Sequence, residues 1–247
     1  MILMKILFIF IIIIILIISI NFKSDCNIKF LNKTELYDLL YNNDMYYNTF
    51  TSYDMKVRNI ISIYDYKEII RDSVSEFTNE EQNIISNAIT IANNRLTKIN
   101  LPWFDGIKAA NLPWILGIVN NNKYEEGLPH TVNDTIILGR KYNDINIMML
   151  VSTLIHEKVH IYQKKYNKDY MKYIKDNNFI VIENNNNNIR ANPDTYYDPY
   201  IYMKNNIMYK MEYKASPKSI GDTIQMNQYY EHPLETMAIE ISKIAMK

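Results

Sequence analysis

The sequence predicts an α+β domain behind an apolar N-terminal segment, and three observations predict it. Ile6 to Ile20 is apolar throughout except for Ser19, a run foreign to the core of a soluble domain. Three later stretches, starting near Thr78, Asp144 and Pro233, repeat apolar residues with helical period. Between Asn100 and Lys141 the chain is instead punctuated by Pro102, Gly106, Pro113, Gly117, Gly127, Pro129 and Gly139. Short apolar runs separate those breakers, which reads as strands joined by loops. At 247 residues and 48% apolar content the chain supports one main domain. The expected division is residues 1–23 as a transmembrane anchor or signal segment and 24–247 as the domain.

The N-terminal run sits at the lower limit for crossing a hydrocarbon layer of about 30 Å and also resembles the apolar region of a signal peptide. Cleavage needs small residues near the cut, yet the first Ala is Ala88 and the first Gly is Gly106. Only Ser19 and Ser24 remain for that role, so the expectation is a single-pass membrane anchor, with secretion after signal cleavage as the alternative. Lys5 on one side and Lys23, Lys29 and Lys33 on the other assign no orientation.

Lys and Arg total 27 and Asp and Glu total 27, which argues against nucleic acid as a partner. Cys26 is the only cysteine, so an intrachain disulfide or a cysteine-built metal cluster is excluded.

Residues 23–77 read as short helices and turns. Thr78 and Glu81 fit a capping box, and Ile84, Ile85, Ala88, Ile91, Ala92 and Leu96 continue a helix to about Lys98. Trp114 to Val119 and Thr135 to Leu138 read as strands. Asp144 caps a helix from Ile145 to about Tyr166, with Met148, Met149, Val151, Leu154, Ile155, Val159 and Ile161 as its apolar positions. Asn184 to Asn188 reads as a solvated loop, and Asn192-Pro193-Asp194 as a turn. Pro233 opens a last helix whose apolar face is Leu234, Met237, Ala238, Ile241 and Ile244. After the central helix the chain is expected to be mainly helical.

The central helix contains His156-Glu157-Lys158-Val159-His160, an H-E-x-x-H pattern. Residues four apart on an α-helix differ by about 40° and one turn, so both imidazoles can reach one tetrahedral metal ion. Glu157 can serve as general base towards a water activated by that ion, and can then return the proton to a leaving amine. A structural zinc site has no use for such a base. Lys158 falls where a core residue is usual, and its stem is expected to snorkel.

Zn2+ in a catalytic site takes three protein ligands, so a third must come from elsewhere in the chain. Glu235, in the first turn after Pro233, is the expected ligand and points inward if Ala238 packs on the central helix. Glu231 and His232 compete for the role or act as helix caps, and His232 could instead hydrogen-bond an oxyanion.

With these residues the sequence resembles gluzincin-type metallopeptidases, whose H-E-x-x-H helix precedes a second helix bearing a glutamate ligand. More narrowly it resembles a zincin family of zinc metallopeptidases of large DNA viruses and microbial eukaryotes. The matching pieces are Glu126-Gly-Leu-Pro-His130-Thr131, Leu154 to Gln163, Arg190-Ala-Asn192-Pro-Asp194, and Glu231-His-Pro-Leu-Glu235-Thr-Met-Ala238. The resemblance implies a zincin-like α+β fold, a zinc ion held by His156, His160 and Glu235, and catalysis by Glu157 on a peptide or protein substrate. It also implies that Thr135 to Leu138 is an edge strand that pairs with the substrate backbone. His130 becomes either a structural residue or a substrate contact, and Arg190 with Asp194 supports for a ligand. Two other functions fit the same pattern: a non-enzymatic membrane-anchored module tied by zinc, and a zinc amidase or esterase for small substrates.

Overall fold

The computed structural model describes residues 27–120, 122–143, 145–182, 188–224 and 231–247. The apolar run, Cys26, Asp144 and Asn184 to Asn187 lie outside them. Among the described residues no helix is long and apolar enough to cross a membrane.

The fold is mixed α+β, as the alternation of patterns predicts. Its centre is β5 (Trp114–Val119), which pairs in parallel with β1 (Ile28–Phe30) and with β7 (Thr135–Gly139). Next to β7 lies β6 (His130–Val132), antiparallel and at the edge, while β2 (Val74–Ser75) pairs with the far end of β5. Parallel strands covered on both faces need apolar side chains on both, which is why β5 and β7 are runs of Ile, Leu and Val without alternation. One face of this sheet meets α1 (Lys33–Asn42) and α3 (Ile63–Ser73) through Leu36, Leu40, Tyr66 and Ile70 against Val119 and Ile137. Gly117 makes that approach possible: a Cβ there would lie 2.5 Å from Leu36 Cδ1.

The other face carries α4 (Asn79–Leu96) and α6 (Ile147–Lys165), with Leu116, Ile118, Ile136 and Leu138 packed against Ile85, Ile89, Leu154 and Ile155. Burying such side chains contributes about 1.5–3 kcal/mol each. Helix α4 begins with the predicted capping box of Thr78 and Glu81. Helix α6 begins two residues later than expected, with Asn146 accepting from the Met148 amide as its cap. The last helix, α8 (Pro233–Ala245), lies along α6, and its Leu234, Met237, Ala238 and Ile241 are fully buried. The remaining helices are α2 (Ser52–Val57), between α1 and α3, the short α5 (Gly106–Ala110) with its hairpin β3 (Asn100–Leu101) and β4 (Phe104–Asp105), between α4 and β5, and α7 (Asn167–Asp176), after α6.

Three expectations need correction. The edge strand beside α6 is β6, whereas Thr135 to Leu138 is an interior strand, because its main-chain groups are used on both sides by β5 and β6. The part of the chain after α6 is not mainly helical: β8 (Ile180–Ile182), β9 (Ile201–Lys204) and β10 (Ile207–Tyr209) form an antiparallel sheet in the order β10-β9-β8. These strands are three or four residues long and scattered among Tyr, Asn and Lys, too short to show a period. Lys158 does not snorkel: it is fully buried, its Nζ donates to the Leu112 and Pro113 carbonyls at 2.7 Å each, and it lies 4.1 Å from the centroid of the Trp114 ring. This side chain thus joins α6 to the start of β5.

A buried charged network holds the N-terminal helices to this frame. Arg58 grips Glu125 with two hydrogen bonds, Nε to Oε1 at 2.8 Å and Nη2 to Oε2 at 2.6 Å, and the Tyr66 hydroxyl donates to Oε1 at 2.7 Å. Glu125 and Glu126 both have left-handed backbone, φ 46° and 53°, a conformation that persists only where the surroundings over-determine it. Nearby, fully buried Asp44 accepts from the Tyr46 amide through one oxygen, and the other has no partner among the described residues. Burial, the largest cause, pushes its carboxyl up to about 6 from 3.8. The folded state then binds the proton more tightly than the unfolded chain. This contribution to stability is present below pH 3.8 and is lost as pH rises through about 6. Asp44→Asn is therefore expected to raise stability by about 2–3 kcal/mol at pH 7.5 and to add nothing near pH 4, read from denaturant midpoints at the two pH values.

Candidate metal centre

Helix α6 is buried on most of its circumference yet carries His156, Glu157, His160, Gln163 and Lys164 within a stripe of about 120°. That stripe faces β6, the segment Arg190 to Asp194, and the first turn of α8. Proline at the first position of α8 and the small Ala238 one turn later let its N-terminus approach α6 closely.

Three ligand atoms meet where these elements cross. His156 Nε2 lies 3.0 Å from Glu235 Oε2 and 3.1 Å from His160 Nε2, and His160 Nε2 lies 3.4 Å from the same carboxylate oxygen. His156, His160 and Glu235 are thus a set of groups that could hold a metal ion. A tetrahedral zinc ion with bonds of about 2.0–2.2 Å sets its ligand atoms about 3.3–3.5 Å apart, so the triangle needs only small adjustment. A second, looser set, Glu157, His160 and Asp194, shares one imidazole with the first.

The electrostatics favour a cation. Burial alone would disfavour a charged His160, but the carboxylates of Asp194 and Glu235 outweigh it and push this imidazole up to about 10. Burial likewise acts against an ionised Glu235, and the two imidazoles overcome it, holding its carboxyl well below the usual range. Glu157 behaves oppositely. Burial pushes its carboxyl well above the usual range, the charge of Asp194 adds to the shift, and its Oε2 has no hydrogen-bond partner among the described residues.

A cavity of about 180 Å³ opens onto His156, Glu157 and Glu235. Arg190 to Asp194 and His130 also line it, while His160 is buried beneath. A larger cleft, about 860 Å³, lies one helix turn further along α6 beside Lys164, Asp134, Tyr170 and Tyr197, and none of the three ligand-type residues lines it.

The remaining sequence candidates divide. His130 lines the cavity, with both ring nitrogens engaged: Nδ1 lies 3.0 Å from the Leu128 carbonyl and Nε2 lies 3.2 Å from the Tyr124 hydroxyl. Glu231 pairs with Arg190 at 3.4 Å and stands outside both donor sets. His232 caps α8, its Nδ1 accepting from the Leu234 amide, and burial pushes its imidazole down to about 4. Arg190 and Asp194 do not bond the three ligand-type residues; the contact comes from Asn192, whose Nδ2 donates to Glu235 Oε1 at 2.6 Å. The Asp194 amide donates to Asn192 Oδ1 at 2.8 Å, which fixes the orientation of that carboxamide. The N-terminal network anchors the same segment, because the Ala191 amide donates to Asp54 and the Tyr46 hydroxyl donates to the Ala191 carbonyl. Sequence reading missed Asp54, Arg58, Glu125 and the role of Asn192. Local sequence carries no signal for the first three, and Asn192 is masked by an ordinary turn pattern.

No family model matches the chain, and no curated protein or solved structure matches it.

The outward main-chain groups of the edge strand are already in use at Thr131. Its N–H donates to Asp194 Oδ1 at 2.7 Å, and its carbonyl accepts from Lys164 Nζ at 3.1 Å. A bond to a charged acceptor contributes about 1.5–3 kcal/mol. Asp194→Ala is expected to speed exchange of the Thr131 amide about 10- to 100-fold, with the Ile137 amide inside the sheet unchanged, measured by residue-resolved hydrogen exchange. Equal rates in variant and wild type would show that this bond does not hold the strand.

Proposed function

We propose that this protein is a zincin-like zinc peptidase, with His156, His160 and Glu235 holding the metal and Glu157 as the general base. The observation that carries the reading is the convergence of two Nε2 atoms and one carboxylate oxygen within 3.0–3.4 Å, beside a buried carboxylate with a free oxygen.

His156, His160 and Glu235 would hold a zinc ion that would supply Lewis-acid activation of water and polarisation of the scissile carbonyl. Glu157 takes the proton that the attacking water loses. A desolvated carboxylate gains much by accepting a proton, and the same group then delivers it to the leaving nitrogen. Asn192 holds Glu235 Oε1 so that Oε2 faces the imidazoles. The N-terminal segment would anchor the enzyme to a membrane, with peptides or proteins as substrates.

One observation favours a second reading. At about 180 Å³ the cavity is smaller than the roughly 300–1,000 Å³ of ordinary ligand pockets, which suits a small amide or ester better than an extended peptide. Parallel assays on peptides, small amides and esters separate the two.

The test is elemental analysis of purified protein. The expected result is about one zinc per chain in wild type, with loss or marked weakening in His156→Ala, His160→Ala and Glu235→Ala under mild chelation. Glu157→Gln is expected to keep the zinc and to lower hydrolysis at least about 100-fold. Absence of zinc from folded wild type, or full activity in Glu157→Gln, overturns the reading.

A further inference from the structure

Gln163 is 1% exposed and lies between the two helices that carry the proposed ligands. Its Nε2 donates to the Leu234 carbonyl at 2.8 Å, in the first turn of α8, one residue before Glu235. Its Oε1 lies 2.9 Å from His160 Nδ1. These two contacts determine each other. The Leu234 carbonyl can only accept, so the amide nitrogen must face it and the amide oxygen must face the imidazole. That oxygen also only accepts, so His160 Nδ1 must carry the hydrogen. In a neutral imidazole with hydrogen on Nδ1, the lone pair sits on Nε2, the atom 3.1 Å from His156 Nε2 and 3.4 Å from Glu235 Oε2. His160 is itself fully buried, so little water competes for these bonds.

We infer that Gln163 is a positioning residue for the metal centre: it holds His160 as the Nδ1–H tautomer and ties the first turn of α8 to that ring. The inference rests on the proposed zinc site for the ion, but the contact between His160 Nδ1 and Gln163 Oε1 is independent of it. Gln163 touches no reacting atom and acts through His160 and the backbone beside Glu235. A purely structural plug between α6 and α8 would affect stability alone. A positioning residue also governs ring orientation and zinc affinity.

The experiment uses the full chain and two variants. Gln163→Met keeps the length and removes both bonds; Gln163→Glu keeps the acceptor for His160 and loses the donor to Leu234. Zinc affinity is measured by competition with a chromophoric chelator, thermal stability without zinc by calorimetry, and ring hydrogens by 1H–15N NMR of labelled histidine. The expected outcome is hydrogen on His160 Nδ1 and none on Nε2 in zinc-loaded wild type. Zinc binding should weaken about 10- to 100-fold in Gln163→Met and recover to within about threefold in Gln163→Glu, although that variant is less stable than wild type. Hydrogen absent from wild-type Nδ1, or equal zinc affinity in wild type and Gln163→Met, overturns the inference. If Gln163→Met does not fold, the wild-type ring and the Gln163→Glu split between affinity and stability decide it. No zinc in wild type sinks the metal reading, and the His160–Gln163 contact then stands only if the Nδ1 hydrogen is hydrogen-bonded in wild type and not in Gln163→Met.

Discussion

The geometry of the site depends on one packing constraint: α6 must bury nearly its whole surface while keeping a narrow polar stripe. Sheet strands β5 and β7, helix α4 and helix α8 cover the apolar sides through Leu150, Val151, Leu154, Ile155 and Val159. What remains is a stripe whose polar groups are largely shielded from water and find partners inside the protein. His156, His160 and Glu235 find one another, Gln163 finds His160 and Leu234, and Lys164 finds Thr131. Glu157 alone in this stripe leaves an oxygen unpartnered among the described residues. An unmet buried acceptor costs about 1–3 kcal/mol.

A second layer of buried polarity supports the first. Tyr46, Asp54 and Arg58 join the distant Glu125 and reach the cavity beside His156 and Glu235 through Ala191 and Asn192. The N-terminal helices therefore do more than cover the sheet, since they set the position of the segment that orients Glu235. Buried ion pairs of this kind contribute modestly to net stability because desolvation offsets their attraction, but removing one partner leaves an uncompensated charge. Such a network specifies one arrangement of the loop.

Much of the frame was legible in the sequence. Helices α4, α6 and α8 were visible because each is long enough for the 3.6-residue period to repeat several times. Strands β5 and β7 were visible as apolar runs between glycines and prolines. The strands after α6 were not, because three or four residues with mixed composition carry no period, and β6 is a three-residue strand behind Pro129. Lys158 was misread because a local rule places its charge in solvent. The free carbonyls of Leu112 and Pro113, supplied by a distant loop, accept it instead.

The sequence by itself determined the local chemistry: an H-E-x-x-H stripe on a helix, a glutamate in the first turn of a proline-started helix, and the capping of α4. Each depends on residues within a turn or two of one another, where helix geometry fixes distance. Only the tertiary structure decided that Glu235, rather than Glu231 or His232, meets the two imidazoles 79 positions away in sequence from His156. It alone decided that β6 is the edge and that Asn192 contacts Glu235 while Gln163 contacts His160. Those facts follow from how two helices cross and which strand pairs with which, and no spacing along a chain records the closing of such distances.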